Sequence, residues 1–186
     1  MIKPHLAIAA VACLVLLQGC GPLLVRDETV GAYTAARSGV FELHEDITIR
    51  AGRTRTYLQD GAIVSGVNEF RPHCQLEINT LSESPQTVRV DRFSITRIGT
   101  RTDQVVQSAP LQLAALDGTA RWPFDGFMDG ELRRMYVYIF HLHSDQQPDV
   151  RALICGGAFD SPGLAVLPSL GEIARALGRY GSLQLR

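Results

Sequence analysis

The sequence predicts a mainly β protein, an antiparallel β-sandwich or barrel-like domain with a short C-terminal helix. Three observations predict it. Apolar and polar residues alternate with a period of two in several segments between positions 40 and 155. Turn-forming residues separate those segments at the spacing of roughly 8–15 residues typical of antiparallel all-β domains. Near residue 170 the apolar period lengthens to that of a helix.

Phe41, Leu43, Ile47 and Ile49 alternate with Glu42, His44, Asp46 and Thr48, the pattern of a half-buried strand. Glu45 falls on the apolar face, so an edge or bulge is expected there. Ala51-Gly52 reads as a turn, Arg53 to Gln59 as a second strand, and Asp60-Gly61 as the pair that closes a hairpin. Within Glu69 to Leu81, Cys74, Leu76 and Ile78 share one face and His73, Gln75, Glu77 and Asn79 the other. Thr87 to Ile98 forms the next strand. Its apolar parity switches between Val90 and Phe93, predicting a bulge at Asp91-Arg92. Gln104 to Leu116 is a weaker strand, interrupted by Pro110, and Asp117 to Gly130, with three Asp-Gly pairs, is a turn-rich loop. Leu132 to Leu142 is apolar on both faces, as a central strand must be. Val150 to Cys155 follows as a short strand ended by Gly156-Gly157. Ser169 and Glu172 form a capping-box pair, and Gly178 sits at a helix stop. Leu170, Ile173, Ala174 and Leu177 between them form one apolar stripe.

The amino-terminal segment carries an address. Lys3 and the α-amino group precede an unbroken apolar run from Leu6 to Leu17. Twelve helical residues rise about 18 Å, short of the roughly 30 Å hydrocarbon core of a bilayer. A basic cap, a short apolar run and small residues before a cut site read as a secretory signal. Leu17-Gln18-Gly19-Cys20 resembles a bacterial lipobox, with Gln18 in place of the usual small residue at its most permissive position. The resemblance covers only about the first twenty residues. It implies a signal peptide at 1–19, diacylglycerol on the Cys20 thiol, and acylation of the new amino group. The membrane is thus the partner expected through the lipid on Cys20. Gly21, where a retained inner-membrane lipoprotein would carry Asp, implies delivery to the periplasmic face of the outer membrane. Residues 20–39, with Pro22, Gly31 and Gly39 and no sustained period, are expected to form a lipidated tether, and 40–186 the β-rich periplasmic domain.

Of four cysteines, Cys13 leaves with the signal and Cys20 takes lipid, so Cys74 and Cys155 remain to pair in a compartment that permits disulfides. The net charge of −1 lacks the basic surplus of a nucleic-acid binder. The 20% charged and 46% apolar composition argues against wholesale disorder.

Three places invite a functional reading. His141 and His143, at i and i+2 on one strand face, have the spacing to share a metal, with His73 a candidate third ligand. Trp122, Phe124 and Phe127 could present aromatic anchors to an envelope protein or a glycan, although such a loop more often folds its rings back over the open end of a sandwich. Arg50, Arg53 and Arg55, with Arg71 and Arg133-Arg134, could collect on one surface and meet anionic lipid or polymer, although the nearby carboxylates favour a mixed, solvated face. No GxSxG elbow, HExxH, phosphate-binding glycine loop or Ser-x-x-Lys is present. The expectation is a non-enzymatic binding or scaffolding domain without a cofactor. The alternative is a periplasmic metal-binding protein using His141 and His143.

Overall fold

The computed structural model describes residues 23–27, 32–106 and 132–186. An eight-stranded antiparallel sheet dominates it. In spatial order the strands are β12 (Gly181–Leu185), β3 (Gly39–Leu43), β9 (Asp91–Val106), β10 (Leu132–His143), β11 (Val150–Gly156), β7 (His73–Ile78), β5 (Arg55–Gln59) and β6 (Ala62–Val64). The sheet curls around the helix α1 (Leu170–Leu177), which packs against β12 toward one edge of the sheet and β7 and β5 toward the other. The barrel-like expectation is therefore met by a curled sheet with a helical plug.

Two smaller ribbons complete the core. β4 (Ile47–Ile49) pairs with β8 (Gln86–Val88), continuing the β3–β9 ladder past an interruption. That interruption falls at residues 44–46 on one side and 89–90 on the other. The irregularity expected at Glu45 is there, whereas the one expected at Asp91-Arg92 lies just before it. Asp91 staples the break. It accepts hydrogen bonds from Ser144 Oγ (2.6 Å), Gln147 Nε2 (3.0 Å) and the Arg92 amide (2.7 Å). Partial burial works against its charge, but these three donors outweigh it and hold the carboxyl below its ordinary pKa.

The second ribbon, β1 (Leu23–Asp27) with β2 (Ala32–Ala36), lies within the 20–39 stretch expected as a lipidated tether and gives it strand structure that the sequence did not signal. Val25 and Ala36 are buried in the main core. The Tyr138 hydroxyl donates to the Leu24 carbonyl and accepts from the Arg26 amide, each at 3.3 Å. Five-residue strands with mixed composition have too little period to register in sequence, yet docking against a finished core stabilises them.

The inner face of the sheet carries Phe41, Phe93, Tyr138, Phe140, Leu153, Leu76 and Leu58, packed against Ile173 and Leu177 of α1. Phe41 and Phe93 stack with ring centroids 6.1 Å apart. On the opposite face Met135, Val137, Ala152, Ile154 and Phe159 make a smaller cluster, so β10 buries both faces as its composition requires. Cys74 and Cys155, opposite each other on β7 and β11, are joined by a disulfide and fully buried.

β9 continues through sixteen residues, past a bulge at Thr96, Gly99 and a polar Thr-Arg stretch, because β10 pairs with it all the way to Val106. Residues 104–106 of the weak strand expected over 104–116 belong to it; the rest, and the 117–130 loop, lie outside the described residues. The capping box at Ser169 and Glu172 forms as expected. The helix stripe differs by one position: Ala176 is buried and Ala174 exposed. β12, unsuspected from sequence, follows the 3-10 turn Gly178–Tyr180.

Candidate functional site

Arg50, Arg53 and Arg55 come together. Ile47 and Ile49 of β4 point into the core, which sends Thr48 and Arg50 outward. The turn after β4 closes with the Arg53 amide donating to the Arg50 carbonyl at 3.1 Å. Gly52 occupies the left-handed region there (φ 69°), and its amide donates to the Ser82 carbonyl at 2.8 Å. Positive φ at the third position of a β-turn favours glycine, and the turn sets its end residues within about 7 Å of each other. Two guanidinium-bearing residues are thereby placed side by side.

They line a groove of about 640 Å³ bounded by β4, this turn, β5 and β6. Thr48, Thr54 and Ser65 contribute hydroxyl-bearing positions, Tyr57 an aromatic one, and Ile63 and Leu81 exposed apolar ones. Arg55 is already engaged, with Nη1 3.7 Å from Glu77. Glu77 is buried, also pairs with Arg151, and accepts from Gln75 Nε2 at 3.1 Å. Arg50 and Arg53 make no ion pair among the described residues and are exposed. Uncompensated like charges lining a concavity concentrate a positive potential there. Arg71 and Arg133 do not join them: Arg71 pairs with Asp60 at 2.9 Å, and Arg133 lies over the Phe70 ring. Arg134 is also outside the groove, its backbone bridged to Asp160.

The histidines are arranged differently. Arg97 Nη2 lies 3.0 Å from His141 Nε2. A guanidinium only donates, so this ring nitrogen accepts and its lone pair is engaged. His143 is exposed, with Nε2 3.3 Å from Asp145. His73 is not brought near. It sits opposite Gly156, which sits opposite Val137, four residues from His141 and so about 13 Å along β10. Among the described residues no three His, Cys, Asp or Glu side chains converge as a metal site needs.

Burial first, then the charges of Arg97 and Arg151, hold His141 below the usual imidazole pKa. A histidine whose folded pKa is depressed contributes stability above its unfolded value and loses it as pH falls from there toward the folded value. Proton-detected titration of the His141 ring is expected to give a midpoint below 6.5, moving upward in Arg97→Gln. A midpoint above 6.5 in the unaltered protein would contradict this geometry.

Cys20, Trp122, Phe124 and Phe127 lie outside the described residues. No known protein family, curated protein or solved structure matches this chain. No helix among the described residues is long and apolar enough to cross a membrane.

Proposed function

We propose that the protein is a lipid-anchored, non-enzymatic binding or scaffolding module of the bacterial cell envelope. It is attached through Cys20 and faces the periplasm, with the outer membrane its favoured location. The observation that carries this reading is the lipobox-like Leu17-Gln18-Gly19-Cys20 directly before a folded domain. The first described strand begins at Leu23, three residues after Cys20, so at most about 10 Å of chain can separate it from the anchor. The domain therefore rides close to the bilayer rather than on a long leash. A buried disulfide, which persists in oxidising compartments, supports placement outside the cytosol. The absence of recognised catalytic motifs and the groove beside Arg50 and Arg53 favour binding over chemistry.

Expression of the full chain in a bacterial host fed an alkyne-tagged fatty acid tests the anchor. The unaltered protein is expected to take up label and sediment with membranes, starting at Cys20. Cys20→Ala is expected to abolish labelling and signal cleavage together. Mature protein that keeps residues 1–19, or runs unlabelled in the soluble fraction, refutes the proposal.

A further inference from the structure

We infer that the groove beside the Arg50–Arg53 turn binds an anionic saccharide, a sugar chain bearing carboxylate or phosphate groups. The inference deepens the binding-module reading and rests on it for the premise that the domain recognises a ligand. Three features argue for it. The two arginines at the ends of the Gly52 turn have no carboxylate partner among the described residues, although Arg55 beside them has one in Glu77. A planar guanidinium fork matches the paired oxygens of a carboxylate or phosphate. The cavity, at about 640 Å³, falls within the range of small-ligand sites, roughly 300–1,000 Å³.

The rest of the wall selects the class of anion. Thr48, Thr54 and Ser65 carry hydroxyls that donate and accept, as a sugar's own hydroxyls require. Half-buried Tyr57 adds an amphipathic ring for the apolar side of a pyranose. An extended acidic peptide would meet the same arginines, but it would hold on chiefly by adding a strand to edge strand β6. That strand is three residues long, about 10 Å of ladder. The hydroxyl-rich wall favours the sugar.

The test is titration calorimetry on the full chain, extracted in nonionic detergent, or taken from the soluble fraction should the anchor reading fail. The two readings therefore fail separately. Probes are tetragalacturonate, neutral maltotetraose, inorganic pyrophosphate and tetraglutamate. Tetragalacturonate is expected to bind, to weaken as salt rises, and to lose at least about 10-fold in affinity in the Arg50→Gln, Arg53→Gln double variant. The Arg175→Gln, Arg179→Gln variant removes the same charge from the helix end and should bind as the unaltered protein does. Equal thermal midpoints exclude unfolding as the cause of a loss. Four results overturn the inference: no binding of tetragalacturonate, equal binding of maltotetraose, unchanged affinity in the groove variant, or tighter binding of tetraglutamate or pyrophosphate than of the sugar.

Discussion

Replacing Cys74 and Cys155 together with alanine is expected to destabilise the domain by about 4.5 kcal/mol, the chain-entropy value for a loop closed across 81 positions. Both sulfurs are fully buried on neighbouring strands. The bridge ties β7 to β11 at the centre of the curled sheet, between the strands that carry the groove and those that carry the smaller core. Its loss frees a span that includes β8, β9 and β10 in the unfolded chain. For a domain of this size the loss corresponds to a fall of about 10–18 °C in melting temperature. Burial also keeps small thiols out, so dithiothreitol is expected to leave the bridge intact until denaturant opens the fold. A double variant that melts within two or three degrees of the unaltered protein, or a bridge reduced under native conditions, would contradict this account.

Gly178→Ala carries the second large effect. Gly178 follows α1 with φ 53° and ψ −128°, a conformation L-residues avoid. A Cβ there would lie 2.4 Å from the Gly61 Cα, which belongs to the backbone of the β5–β6 hairpin. The hairpin turn is itself built from two positive-φ residues, Asp60 (φ 52°) and Gly61 (φ 73°). The Gly61 amide donates to the Ala176 carbonyl at 3.2 Å, docking the turn on the helix end. Backbone strain of about 1–3 kcal/mol and a clash of similar size predict a combined cost of about 2–6 kcal/mol. Gly52→Ala is the internal comparison: its φ is 69°, but open space surrounds it, so only the left-handed cost of about 1–2 kcal/mol applies. Urea titration of both variants checks the contrast, and equal midpoints would remove the close approach as the explanation.

These two sites divide what is legible locally from what is not. Gly178 stands out in the sequence as a helix stop, yet the close approach that adds to its backbone strain comes from Gly61, more than a hundred positions away. The Ala51-Gly52 turn is equally plain, but that it sets Arg50 and Arg53 on a groove wall depends on where β6 and Leu81 arrive. Six basic residues have the same claim from sequence. The fold gathers Arg50, Arg53 and Arg55, and turns Arg71 to Asp60 and Arg133 to Phe70. Likewise the His141-x-His143 spacing is real, but a two-residue motif carries no information about Arg97 on the neighbouring strand, which takes the imidazole lone pair.

By itself, the sequence determined the mainly β class, the strands around Phe41, Cys74, Val137 and Leu153, the Asp60-Gly61 hairpin and the capped helix. Each of these is written in a short-range period or a turn preference, which a few consecutive residues express without help. Tertiary structure alone decided that β12 exists, that 23–27 and 32–36 pair as strands, and that β9 extends to Val106. Short edge strands and strand ends carry too little alternation in their sequence to show a period, and their backbone partners come from other segments of the chain. Register, and with it the company each arginine and histidine keeps, is a property of paired strands and not of any one of them.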